Sequence, residues 1–122
     1  MYSDIVKDHF SQPRNIGELA APDAIGLAQN KADGDQVQLH IQIEDGIITD
    51  VKMKVMGCVA AIAATSLYTE MIKDKTIQDA LEVSKETLTG ALGGLPDQKI
   101  KCSLTCIDAF HSAIKKYHDQ NT

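Results

Sequence analysis

Residues 36–56 read QVQLHIQIEDGIITDVKMKVM, and the order of apolar and polar side chains in this stretch decides the fold. From Gln36 to Glu44, Val37, Leu39, Ile41 and Ile43 alternate with polar neighbours, the period of a strand that buries one face. Asp45-Gly46 tolerates positive φ and marks a hairpin turn, after which Ile47 to Met56 returns with Val51, Met53 and Val55 facing one way. Upstream, Ala24 to Asn30 is predicted as a third, weaker strand. The three form a small antiparallel sheet with one apolar face to cover.

Helices on either side in sequence supply the cover. Ser3 caps a short helix that reaches Phe10 and stops before Pro13, and Pro13-Arg14-Asn15-Ile16-Gly17 is a turn. Val59 to Lys73, rich in Ala, Leu, Met and Ile, has the length of a helix of about four turns. Gly57 and Cys58 fall at the strand-to-helix junction. Thr76 to Asp79 resembles a capping box and opens a short helix; Lys85 to Leu92 forms another, ended by Gly93-Gly94 and Pro96. A last helix is predicted from Cys102 to Tyr117, with Leu104, Ile107, Phe110 and Ile114 at helical spacing. Strands first and helices after is the order of an α+β fold, here a three-stranded antiparallel sheet packed by helices.

With 122 residues, 43% apolar and 24% charged, residues 1–122 are expected to form one soluble domain. Two Phe, three Tyr and no Trp leave the core to aliphatic side chains and offer little surface on which bases could stack. A formal charge of −5 opposes binding to a phosphate backbone, so nucleic acid is not an expected partner. The opening MYSDIVKDHF carries no apolar run, and no stretch approaches the length that spans a bilayer. A cytoplasmic protein without membrane contact is expected.

Three cysteines, Cys58, Cys102 and Cys106, make an odd set in a compartment where thiols stay reduced, so they are core side chains, ligands or nucleophiles. Cys58 sits at the mouth of one helix and Cys102 at the predicted start of the last, where the positive helix end favours a thiolate. Cys106, four residues on, is expected on the same face as Cys102. Such a pair fits two core thiols equally well. Asp33-Gly34-Asp35 reads most simply as a solvated turn. Lys101 is either a solvent-facing charge or a modulator of the thiol beside it. His9, His40, His111 and His118 show no ligand spacing among themselves and read as surface or strand-face residues.

Several separated motifs in order carry a family resemblance over almost the full length. They are Tyr2-Ser3, His9-Phe10, Pro13-Arg14-Asn15-Ile16-Gly17, Gly34-Asp35, Met56-Gly57-Cys58 with Ala61-Ile62-Ala63, Leu95-Pro96, and Lys99-Ile100-Lys101-Cys102-Ser103. On these the chain resembles the IscU/NifU N-terminal family of iron-sulfur cluster assembly scaffolds. The resemblance implies a transient [2Fe-2S] cluster held on three cysteines, with an Asp two residues after the first and a His just before the third. Cys58 matches the second cysteine, Cys102 the third and Asp35 the acidic residue. The chain departs at Asp33, which stands where the first cysteine would be, and at Lys101, which stands for the histidine. Asp97-Gln98 replaces the Pro-Val of the family's chaperone-recognition motif.

A [2Fe-2S] cluster takes four terminal ligands. The expected set is Cys58, Cys102, Cys106 and one carboxylate, Asp33 ahead of Asp35, with Cys106 filling the vacancy and Lys101 offsetting the charge of the cluster. The resemblance further implies a cysteine desulfurase as sulfur donor, recipient apoproteins and no turnover chemistry; a homodimer that shares ligands across subunits is a different way to complete the set. Three other readings use the same residues: a zinc site, a metal-free sulfur-transfer or thiol-redox protein built on Cys102 and Cys106, and an interaction module that keeps only the fold.

Overall fold

A computed structural model describes residues 2–32 and 34–120, and of Gln98 and Cys102 the backbone alone. Asp33 therefore lies outside the described residues. The elements run α1 (Asp4–Ser11), β1 (Ala24–Asn30), β2 (Asp35–Glu44), β3 (Ile47–Met56), α2 (Val59–Ile72), α3 (Ile77–Leu81), α4 (Lys85–Ala91), α5 (Ile100–Ser103) and α6 (Thr105–Gln120), with a 3-10 turn at Asp97–Lys99 ahead of α5. Both strand pairs are antiparallel, in the order β1-β2-β3. The expected α+β architecture is present.

Local chemistry explains the sheet. Asp45 and Gly46 both have positive φ, 54° and 75°, the geometry of a two-residue hairpin whose twist matches the strands. The alternation buries Val37, Leu39, Ile41 and Ile43 on one face. In β3 the register slips between Gln42 and Ile43 of its partner, leaving Thr49 as an extra residue between Ile48 and Asp50. This bulge turns Ile48 inward as well as Val51 and Met53, although Ile48 and Val51 are three apart.

Two loops cover the outer edge of β3. Met53 donates its N–H to the Asn15 carbonyl at 2.7 Å and accepts from Gly17 at 3.0 Å, while Ile48 donates to Lys75 at 2.8 Å and accepts from Asp74 at 2.7 Å. An edge occupied in this way offers little to strand pairing with another chain.

The helices cover the apolar face, α6 against β1 and β2, and α2 against β3 and between the other helices. Helix α2 is buried nearly all round, and its Ala60, Ala61, Ala63 and Ala64 let neighbours approach closely. Tyr68 of α2 meets Phe110 of α6 edge to face at 6.0 Å between ring centres. Gly26 of β1 lies so close to α6 that a Cβ would overlap the Ala109 carbonyl and come within 2.8 Å of Ala113.

Helix α1 is pinned to α2 by His9. Its Nδ1 hydrogen-bonds the Ser66 hydroxyl at 2.8 Å, its Nε2 faces Glu70 at 3.5 Å, and Ser66 also accepts the Arg14 N–H at 2.9 Å. His9 is thus a buried tether and not the surface residue expected of it; burial, the main cause, lowers its pKa. His40 is on the outer strand face as expected, yet buried, because Leu19 folds over it and donates its N–H to Nδ1 at 3.3 Å.

The predicted single helix from Cys102 to Tyr117 is two helices. Leu104 bonds back to Lys101 and Ile107 to Leu104, both three residues away, and the Ser103 hydroxyl takes the Ile100 carbonyl at 2.7 Å. Tight turns and a competing hydroxyl break the helical run at Leu104. Cys102 accordingly belongs to the four-residue α5, and Cys106 to the first turn of α6.

Candidate functional site

The site forms where β2 begins and α2 begins. Asp35 has the same strand parity as Val37 and Leu39, so its side chain enters the covered face and is only 2% exposed. There its Oδ1 accepts the N–H of Cys58 at 3.0 Å. Cys58 is the N-cap of α2, with extended backbone at φ −77° and ψ 173° and no capping bond from its own side chain. The Asp35 carboxylate therefore stands in for a cap, placing a negative charge at the positive end of a 14-residue helix.

Gly57 makes this possible. A Cβ at that position would run into the Asp35 carboxylate and lie 3.2 Å from the Ala61 Cβ. Asp35 Oδ2, also buried, has no hydrogen-bond partner. A buried carboxylate oxygen left without a partner, on the residue that holds the N–H of half-buried Cys58, is an acceptor suited to a cation or to a donor brought by a ligand. Among the described residues no third His, Cys, Asp or Glu joins this pair into a metal-binding group.

The structure thus brings Asp35 and Cys58 together. The backbone of Cys102 lies in α5, and Asp33 falls outside the described residues. Lys101 is exposed in α5, in a depression next to the one that contains Asp35.

The placement of Cys106 runs against the expectation that it replaces the missing ligand. Its thiol is fully buried in the core and donates to the Ser103 carbonyl at 3.4 Å. Burial pushes the thiol up to about 12, so the thiolate needed for ligation or attack is scarce at neutral pH. Below 9.0 the thiol is protonated in both folded and unfolded chains; between 9.0 and about 12 only the unfolded chain gives up the proton, so stability falls as pH rises. Cys106→Ala is expected to cost about 1–2 kcal/mol at neutral pH and to flatten that alkaline decline, as read by urea unfolding on both sides of the interval. A decline as steep as that of the parent chain would show that Cys106 does not cause it.

The sequence profile of the NifU-like N terminal domain family matches residues 1–122. The chain belongs to that family. Among similar NifU-like proteins, the iron-sulfur cluster assembly scaffold protein IscU 1 of Archaeoglobus fulgidus is 45% identical over 121 residues, covering 99% of this chain and 79% of the relative. The scaffold protein IscU of Azotobacter vinelandii is 42% identical over 120 residues, covering 95% and 93%. A solved structure of a putative scaffold for the SUF system from Fervidobacterium islandicum superimposes with a TM-score of 0.80 at 25% identity, covering 93% of this chain and 96% of that one. No described helix of this NifU-like chain is long and apolar enough to cross a membrane.

The burial of Asp35 in this NifU-like chain was legible in strand parity. Asp35 stands two residues before Val37, on the buried side of the alternation, so it is a carboxylate committed to the interior and not to a solvated turn.

Proposed function

We propose that this chain is an iron-sulfur cluster assembly scaffold that receives iron and sulfur, holds a transient [2Fe-2S] cluster and passes it on without turnover chemistry of its own. The observation that carries the reading is the free, buried Oδ2 of Asp35 beside Cys58, in a chain whose relatives are named as scaffolds. Of the four ligands, we assign Cys58, Cys102 and Asp35 or Asp33 to this chain and the fourth to a second copy of the chain that shares the cluster. Cys106 leaves the set because its thiol is buried and held protonated.

A site that mixes thiolate and carboxylate suits such a task. Oxygen donors hold iron less firmly than sulfur does, so the cargo exchanges more readily. A cysteine desulfurase is the sulfur donor in this proposal and recipient apoproteins take the product.

Anaerobic reconstitution with iron and sulfide, followed by metal and labile-sulfide analysis, tests this. The expected result is iron with matching sulfide and visible charge-transfer bands, lost in Cys58→Ser and retained in Cys106→Ser. Zinc without sulfide in anaerobically purified protein that refuses iron would overturn the scaffold reading. Loss of cluster in Cys106→Ser, with the fold intact, would return Cys106 to the ligand set.

A further inference from the structure

Beside the Asp35 site the surface carries a groove of three depressions. The first, of about 140 Å³, is bordered by Asp35 and shares Gln29, Asn30 and Lys31 with the second, of about 360 Å³. The second in turn shares Lys85 and Leu104 with the third, of about 450 Å³. One path therefore leads from the Asp35 carboxylate past the β1-β2 turn to the cleft between α4 and α5.

Its chemistry changes along the path. The middle depression gathers Lys31 from the turn, Lys85 from the start of α4 and Lys101 from α5, against Asp108 alone. None of the three lysines forms an ion pair with another described residue. In a chain of net charge −5, three lysines without an ion pair among the described residues meet in one depression from remote parts of the sequence, and they outnumber the one acid that lines it, a local balance opposite to that of the molecule. The far depression is floored by Ile100 and Leu104 beside Thr89 and Gly90, and its charged lining is one acid and one base, Glu86 and Lys85. Lysines offer point charges and not the bidentate forks that select phosphate, and an adjoining apolar floor has no use for a small hydrophilic anion.

We propose that this groove docks an extended peptide segment of a partner protein, with acidic side chains over Lys31, Lys85 and Lys101 and an apolar side chain in the cleft at Ile100 and Leu104. The segment lies with its other end toward Asp35 and Cys58, so that docking presents whatever the partner carries to the site. Only that direction of delivery rests on the scaffold reading. Docking itself is a property of the chain without metal.

The test is fluorescence anisotropy on the metal-free chain with a labelled peptide of consecutive glutamates followed by two leucines. Binding is expected to weaken about tenfold in Lys85→Glu and in Lys31→Glu, to weaken in Thr89→Glu, and to fall with added salt. It should also fall when the glutamates become glutamines or the leucines become serines. Lys85→Glu should leave iron and sulfide loading as in the parent chain, so failure of docking and failure of the scaffold reading are separate results. Equal binding of the glutamine peptide, or equal binding by both charge-reversed variants, overturns the proposal. Displacement of the peptide by citrate or by a single-stranded oligonucleotide at matched charge does so too, since the groove would then be a general anion site. Concentration-dependent self-association that is lost in Thr89→Glu would assign the groove to a second copy of this chain and equally overturn it.

Discussion

Gly26→Ala is expected to lower the free energy of unfolding by about 3 kcal/mol, and with it the midpoint of thermal unfolding by about 12 °C. The added methyl has no place to go. It would overlap the backbone carbonyl of Ala109 and lie 2.8 Å from both the Cβ and the N of Ala113, so relief requires α6 to move off β1 as a body. Ala109 and Ala113 are themselves fully buried and cannot be trimmed further without replacing them by glycine. Interiors are packed too densely to absorb such a shift locally. The neighbouring Leu27→Ala, on the outer face where Leu27 is 47% exposed, is the control and should change stability by no more than about 0.5 kcal/mol. Denaturant titration of the two variants decides the matter; a Gly26→Ala chain as stable as Leu27→Ala would mean that α6 does not seat on Gly26 as described.

The second large effect is expected at the site. Gly57→Ala drives a methyl into the Asp35 carboxylate, expelling it from the start of α2 and leaving the Cys58 N–H without its acceptor. The expected cost is about 1–3 kcal/mol in stability and about 10- to 100-fold in iron retention, the range seen when groups that orient a ligand are removed. Asp35→Ala alone should cost about 1 kcal/mol through the lost cap. Combined with Gly57→Ala it should cost less than the sum of the two, because the space the methyl needs has been vacated. Iron retention should stay low in the double variant, since the carboxylate itself is gone. Unfolding curves and iron content of the four chains read both quantities. Additive stabilities, or parental iron content in Gly57→Ala, would sink the account of Gly57 as the seat of Asp35.

Much of the fold was legible because its signals are short in range. The alternation in Gln36 to Glu44, the Asp45-Gly46 turn and the caps Ser3 and Thr76 depend on residues at most a few positions apart, and all stand in the structure. The break at Leu104 was hidden because Leu104 itself keeps helical spacing with Ile107, Phe110 and Ile114 of the helix that follows. The bulge at Thr49 was hidden likewise, since one extra residue in β3 shows only against the register of β2. At the site, Cys58 was placed correctly at a strand-to-helix junction, while Cys106 looked equivalent to a ligand in sequence and is a core thiol in space.

By itself the sequence determined the three strands, the α+β class and the family resemblance, because periodicity, turn chemistry and motif order are written along the chain. Only the tertiary structure decided which polar groups are inside and which charges meet. Cys106 is silenced by complete burial in the core, Asp35 is held against Cys58 because Gly57 leaves room, and Lys31, Lys85 and Lys101 share one depression because three distant elements close around it. Burial and electrostatic fields depend on neighbours in space, and chain closure brings those neighbours from far along the sequence.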